Sequence, residues 1–438
     1  MTDVWLPDWK DASFWHDGMT APRGLTASLP ARVDVVIVGS GYTGLNAAIE
    51  TARGGRSTLV LEAGAPGHGC STRNGGQIST SVKPSYGKLA AKHGAQRARA
   101  VRDEGKAALD WIEDRIQTEG IDCAFSRAGR FHAAHTPQHF EDLARQSEIL
   151  AREDNITSHV VPRAEQRREL GTDCYFGGLV FPRHASVDPG RYHRGLLDTA
   201  IGTGAQVVGH CEVLSIQRQH DGFEVHTRKG IVRSKDVAIA TNGYTGGATP
   251  WLQRRVIPIG SYIIATEPLP QALVDQLFPT GRIASDTCKV VYYYRTSPDR
   301  RRILFGGRVS ANETDTWVSG PKLYDDMCRI FPELRDYRIS HSWMGTVAYT
   351  FDELPHTGVH DGMHFAMGYC GSGVSMASYL GMRMGQKILG LKEGRTAFDD
   401  VHFSTRPLYT GKPWFLPPMV AWYRWRDRVQ YERSKESA

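Results

Sequence analysis

The chain has 438 residues, with 53 Lys plus Arg against 47 Asp plus Glu and a formal net charge of +6. Hydrophobic residues make up 40% and charged residues 23%, which excludes wholesale disorder and leaves room for two or three domains. No run approaches the roughly 18–20 uninterrupted apolar residues of a membrane helix, and the positive residues are too dispersed for a nucleic-acid surface.

Seven cysteines, at positions 70, 123, 174, 211, 288, 328 and 370, lie far apart with no C-x-x-C pair. Neither a disulfide framework nor a zinc site is expected, and a reducing, cytoplasmic compartment fits. Residues 1–15 hold acids and tryptophans instead of a basic start and an apolar run, so no secretory signal is expected.

Residues 1–30 are polar and aromatic and are expected to lie over the surface of the first domain. Asp34-Val35-Val36-Ile37-Val38 is a short apolar, β-branched run that reads as a strand buried on both faces. It runs into Gly39-Ser40-Gly41-Tyr42-Thr43-Gly44, a helical stretch from Leu45 to Arg53, and a second strand, Ser57 to Leu61, closed by Glu62. Strand, G-x-G-x-x-G, helix, strand and acid in register predict a dinucleotide site. Gly39 allows the tight turn, Gly41 the approach to a pyrophosphate, and Gly44 close helix–sheet packing. The helix N-terminus offers free N–H groups to the phosphates, and Glu62 would accept from ribose hydroxyls.

The segment Gly69-Cys70-Ser71-Thr72-Arg73-Asn74-Gly75-Gly76-Gln77 is rich in small and hydrogen-bonding residues and could wrap a planar cofactor; a plain surface loop is the alternative. Helical patterns follow over 85–121 and 138–152, with an expected hairpin from Ala124 to Ala134 between them. A further helix is expected over 191–203. Residues 205–232 alternate like a small β-meander, and Asp236 to Ala240 is another buried strand ending at Thr241-Asn242-Gly243. Strands dominate from Val256 to Gly307, including Val290 to Tyr294 and Ile303 to Gly307; Arg300-Arg301-Arg302 reads as a solvated hairpin turn. The glycine turn Gly368-Tyr369-Cys370-Gly371-Ser372-Gly373-Val374 precedes a helix over 375–389, another N-terminus suited to an electron-rich atom. The tail from Pro413 to Trp425 is aromatic, interrupted by Pro417-Pro418, and expected to pack on the body of the protein.

Together these landmarks resemble the D-amino-acid-oxidase superfamily of FAD-dependent oxidoreductases, and within it the gamma-glutamylputrescine oxidase group. The likeness rests on Gly39 to Leu45, Arg73-Asn74-Gly75-Gly76-Gln77, Tyr293-Tyr294-Arg295, Gly306-Gly307, Trp343-Met344-Gly345, Thr350 to Pro355, and Gly368 to Val374. It implies an α/β fold, with a Rossmann-like FAD-binding domain of the glutathione-reductase type and a discontinuous β-rich substrate domain. On this reading residues 1–90, 155–255 and 340–405 form the FAD-binding domain, 91–154 and 256–339 the substrate domain, and 406–438 a packed tail.

The resemblance also implies a cofactor-binding set. Gly39, Gly41, Tyr42, Thr43 and Gly44 would hold the FAD pyrophosphate, with Glu62 and Ala63 at the adenosine. Ser71, Thr72, Arg73, Asn74, Gly75, Gly76 and Gln77 would line the ribityl and ring side, and Val213 and Thr241-Asn242-Gly243 the nucleotide. Gly371, Ser372, Gly373 and Val374 would meet the pyrimidine edge of the ring. The positions that carry a covalent flavin link in some members fall on Asn74 and near Gly345, so noncovalent FAD is expected. Sarcosine-oxidase-like members place a Lys where this chain has Ser375, which disfavours a small N-methyl amino acid. The Lys that related oxidases use for oxygen activation aligns near Leu304-Phe305, leaving the acceptor open between O2 and a carrier.

The implied reaction is oxidation of an amine C–N bond by hydride transfer to flavin N5, followed by imine hydrolysis. Gln77, Tyr292, Tyr294, Arg308 and Trp343 are the expected substrate contacts, since aromatic faces suit a cationic amine and Arg308 could pair with a distant carboxylate. An oxidase or demethylase of a secondary amino acid, and a non-catalytic flavin-binding scaffold or sensor, are the alternatives. Neither nucleic acid nor a membrane span is expected as a partner.

Overall fold

The computed structural model describes residues 4–80, 82–308 and 314–436. An eight-stranded sheet carries the glycine motif. Its central strand, Arg32–Val38, pairs in parallel with Thr58–Leu61 on one side and Gly230–Ile239 on the other. Gln206–Val208 extends the first side and Met363–Met367 the second, both in parallel. Alternation along these strands feeds two cores. Val35, Ile37, Val60, Val207 and Ala238 pack beneath the helices Tyr42–Arg53, Ala95–Thr118, Pro189–Gly202 and Gly373–Ile388. Val36, Leu59, Leu61, Val208 and Val237 pack on the opposite side with Leu252, Phe365 and Phe403. Each fully buried Val, Leu or Ile contributes about 1.5–3 kcal/mol.

The helices Tyr42–Arg53 and Gly373–Ile388, each preceded by a glycine turn, lie against each other. A side chain at Gly381 would collide with the Thr43 carbonyl, so glycine there lets Gly373–Ile388 press onto Tyr42–Arg53. A 2.6 Å hydrogen bond between Thr43 Oγ1 and the Tyr369 hydroxyl joins their N-terminal ends.

The second sheet has nine strands in the order Trp5–Lys10, Ile339–Tyr349, Ile257–Thr266, Ile303–Gly307, Tyr293–Thr296, Ile283–Asp286, Arg130–Ala133, Gly177–Phe181, His159–Pro162. One face, with Phe131, Ala133, Ala284, Tyr294 and Phe305, forms a core with Leu323 and Met327 of the helix Thr316–Ile330. Its other face is turned toward the layer of the eight-stranded sheet.

Several expectations need correction. Arg130–Ala133 is not half of a hairpin: it pairs in parallel with Ile283–Asp286 and antiparallel with Gly177–Phe181. His159–Pro162 and Gly177–Phe181, placed with the FAD-binding segments by a boundary at 155, belong to the nine-stranded sheet, as do Trp5–Lys10 and Ile339–Tyr349. The helix Ala95–Thr118, placed in the substrate domain, buries Val101, Ala108, Leu109 and Ile112 in the core beneath the eight-stranded sheet. Strand partners and helix docking are non-local, and periodicity does not encode them. The expected strand Val290 to Tyr294 is observed at Tyr293–Thr296. Of the expected meander only 213–239 is antiparallel, in three strands, and Asp236 continues the last of them. The tail is a helix, Leu416–Glu436, whose Pro417 and Pro418 fall in the first turn, where the missing N–H costs nothing. Among the described residues no helix is long and apolar enough to cross a membrane.

Candidate functional site

A cavity of about 1800 Å³ lies between the two layers, its walls drawn from both sheets and from the C-terminal helix. At the end formed by the glycine turns the wall is mostly main chain. Gly39 has φ +104, and a side chain there would sit 2.9 Å from the Ala240 carbonyl oxygen. A Cβ on Gly41 would sit 2.8 Å from Ser71 Oγ, and one on Gly44 would strike the Gly39 carbonyl. Gly41 is also the N-cap of Tyr42–Arg53 and has no side chain to satisfy the first-turn N–H groups, which suits the helix end to a phosphate. Glu62 lines the cavity, with its carboxylate oriented by Ser40 N–H (2.9 Å), Ser40 Oγ (2.7 Å) and Gly64 N–H (3.2 Å). Ala63, Val213, Thr241 and Asn242 line the same end. Asn242 takes a left-handed conformation, and its Oδ1 accepts from Gly368 N at 2.9 Å, tying the strand end to the second glycine turn.

The loop at 69–77 is shaped from within and clamped from behind. Asn74 Nδ2 donates to the carbonyls of Cys70 (3.1 Å) and Ser71 (3.0 Å), and its Oδ1 accepts from Gly76 N (2.8 Å). Trp15 Nε1 donates to the Asn74 carbonyl (2.8 Å), Trp343 Nε1 to that of Arg73 (2.9 Å), and Arg295 to that of Gly76 (3.2 Å). Ser71, Arg73, Asn74, Gly75 and Gln77 line the cavity, as do Tyr42, Thr43, Gly345, Gly371, Ser372, Gly373 and Val374. Gly44, Thr72, Gly76 and Gly243 do not; Thr72 is buried and bonded to Gly67 and His16. Two thiols, Cys70 and Cys370, also face the cavity, and burial pushes each up to about 11, so both are protonated at neutral pH.

The expected substrate contacts separate into two groups. Gln77 and Arg308 line the cavity, and Arg308 has a partner of its own. Tyr292, Tyr294 and Trp343 do not line it. Tyr292 and Tyr294 are buried on the opposite face of the sheet, stacked on Phe305, and the Tyr294 hydroxyl meets that of Tyr175 at 3.0 Å. Trp343 is buried behind the loop that it clamps. Tyr293, between the two core tyrosines, is the residue that alternation turns to the cavity, with its hydroxyl 2.8 Å from Ser261 Oγ.

Sequence reasoning also missed a polar patch on the nine-stranded sheet. Arg130 and His132 alternate with the core residues Phe131 and Ala133, and both line the cavity beside Ser285 and His184. His132 Nδ1 lies 2.9 Å from Ser285 Oγ, and burial, reinforced by Arg130, pushes this imidazole down to about 4. The polar–apolar alternation over 130–133 was the available signal. Lys83, on the stretch after the loop, holds the Tyr349 hydroxyl at 2.7 Å. The C-terminal helix adds Leu416, Met419, Val420 and Tyr423 as a roof, and Asp427 anchors it by accepting from Lys289 N and Val290 N, each at 3.0 Å.

Comparison with known proteins gives the family. The family described as FAD dependent oxidoreductase (DAO) matches residues 34–387. The chain is 30% identical over 372 residues to a probable oxidoreductase, OrdL, of Haemophilus influenzae, covering 84% of this chain and 85% of that protein. It is 30% identical over 399 residues to the gamma-glutamylputrescine oxidoreductase of Escherichia coli, covering 90% and 93%. Among solved structures, glycine oxidase from Geobacillus kaustophilus superposes with a TM-score of 0.72 at 19% identity, over 86% of this chain and 99% of that one.

Proposed function

Because this chain belongs to the DAO family of FAD-dependent oxidoreductases, we propose that it oxidises a C–N bond in an extended amine of the gamma-glutamylputrescine kind. That it is an FAD-dependent enzyme acting on amine or amino-acid substrates follows from the family. The observation that carries the narrower reading is the length of the cavity. It continues from the glycine cradle past Gln77 to Arg130 and to the roof at Tyr423, which suits an extended substrate better than a one-carbon side chain. Ser375, buried and bonded to the Ser79 carbonyl at 3.3 Å, places no cation where a small amino acid's carboxylate would be clamped.

The residues present fit FAD. Gly39, Gly41 and the N-terminus of Tyr42–Arg53 would take the pyrophosphate, Glu62 the ribose, and the loop 71–75 the ribityl chain, all without a covalent link. When bound, FAD supplies the two-electron oxidant. The helix Gly373–Ile388 presents its positive end at the turn 371–374, where N–H groups would stabilise negative charge developing on an electron-rich edge. Tyr293, with its hydroxyl held by Ser261, offers an aromatic face to the amine. An ammonium has no lone pair to assist C–H cleavage, so the neutral amine is the reactive form. The imine product leaves for hydrolysis to an aldehyde, and the electrons pass on to O2 or a carrier.

The test is an anaerobic titration of the yellow protein with gamma-glutamylputrescine at several pH values. Bleaching of the visible band, faster as pH rises from about 6 to 10, is the expected result. A flat profile would reject the neutral-amine mechanism, and no bleaching would reject this substrate class.

A further inference from the structure

Burying an arginine ordinarily requires a carboxylate partner. Three enclosed arginines have one: Arg102 meets Asp154 at 2.6 Å, Arg115 meets Glu50 and Glu119, and Arg282 meets Glu169. Arg295 lacks one but spends its donors on the carbonyls of Gly76, Val187 and Thr296, away from the cavity. Arg130 is different. Its one hydrogen bond is from Nη2 to Gln77 Oε1 at 3.2 Å, its Nε is shut away from solvent without a partner, and its head group lines the cavity. Burial alone pulls its pKa to about 10, with no acid nearby to offset it, yet the group stays charged at neutral pH.

The surroundings of Arg130 are polar but neutral. His132 is on the same face of the same strand, and His184 lies 3.2 Å from Thr80 Oγ1; burial, with Arg130 beside them, holds both imidazoles uncharged. Gln77 is oriented by the carbonyls of Ala284 and Tyr294, each 3.3 Å from its Nε2, so that its oxygen faces the guanidinium. A planar fork of donors, uncompensated, at the wall of a substrate cavity is complementary to a carboxylate.

We propose that Arg130, positioned by Gln77, anchors a carboxylate carried by the substrate at a distance from the C–N bond that is oxidised. The proposal rests on the amine-oxidising reading above and narrows it to acidic amines, of which a gamma-glutamylated diamine, with its amino-acid end held at Arg130, is the natural member. Lys83 is less suited, being already engaged by Tyr349 both at its hydroxyl and over its ring at 4.4 Å.

The experiment uses the FAD-loaded full chain as wild type, Arg130→Met and Arg130→Lys, with flavin content and thermal melting recorded for each. Half-saturation of anaerobic bleaching is measured for gamma-glutamylputrescine and for N-acetylputrescine, which has the same reacting amine and no carboxylate. Arg130→Met should raise the first by about tenfold or more and leave the second within about twofold, with Arg130→Lys in between. Equal changes for both amines, or no change for either, would overturn the proposal. Should the Met variant fail to load FAD, the Lys variant carries the same comparison. If neither amine bleaches the wild type, the amine reading fails separately, and a titration with glutarate decides for Arg130. A shift of the flavin band in wild type that is lost in the variants supports the anchor. An equal shift in all three, or none in wild type, overturns it.

Discussion

At the nucleotide end of the cavity, the atoms that face inward are mostly main chain: the turn at 39–44, the helix end behind it and the glycine turn at 371–374. At the other end they are side chains standing on a sheet: Gln77, Arg130, His132 and Tyr293, roofed by Tyr423 and its neighbours. The first wall depends on what is absent, since a single Cβ at Gly44 would strike its own loop. The second depends on which of two faces each strand residue occupies, and a shift of one residue exchanges them all. The first wall is therefore made of short turns, each specified within a few residues, while the side chains of the second stand on strands far apart in the chain.

The largest expected effect tests the main-chain wall. Gly44→Ala forces the glycine loop off the helix and should abolish copurification of flavin, which absorbance of the purified protein would read directly. A fully yellow variant would show that close approach is not required there.

On the side-chain wall, the Asp286 carboxyl is pushed up to about 7 by burial, although the N–H groups of Tyr292 and Cys288 favour its ionised form. Below about pH 4 it is protonated in both folded and unfolded chains. Between about 4 and 7 the unfolded chain ionises while the folded one keeps its proton, so stability falls as pH rises through that window. Asp286→Asn should remove that slope, an effect on the order of 4 kcal/mol at most, read as denaturant midpoints at low and high pH. An unchanged slope would place the titration elsewhere.

The smallest effect separates the two faces of one strand. Tyr293→Phe should raise the amine concentration for half-saturation by about two- to fivefold with little change in melting. Tyr294→Phe loses the bond to Tyr175 and should lower stability by about 1 kcal/mol with unchanged kcat/KM. The reverse pattern would mean that the faces have been exchanged.

Much of the nucleotide site could be read from the amino-acid order because its parts are local. Gly39, Gly41 and Gly44 need special backbone conformations or close approaches within a few residues of one another, and Glu62 ends the very next strand. The loop at 71–77 is legible as a cavity-facing segment, but not its clamps: Trp15, Trp343 and Arg295 reach it from 59 or more positions away. Composition identifies an aromatic strand and points equally to Tyr292, Tyr293 and Tyr294, and only the pairing tells the faces apart and turns Tyr293 to the cavity. Pro417-Pro418 suggested a broken tail, although prolines in a first turn are compatible with the helix that forms the roof.

What the sequence by itself determined is the family, the cofactor and the glycine turns and helix starts that we propose hold it, since glycines, strand ends and helix starts are set by short-range sterics. The tertiary structure alone decided which segments share a sheet, which side chains look into the cavity, and that Arg130 stands there without an acid. Those outcomes depend on register between strands such as Arg130–Ala133 and Ile283–Asp286, whose partners are about 150 residues apart, and no local preference specifies that pairing.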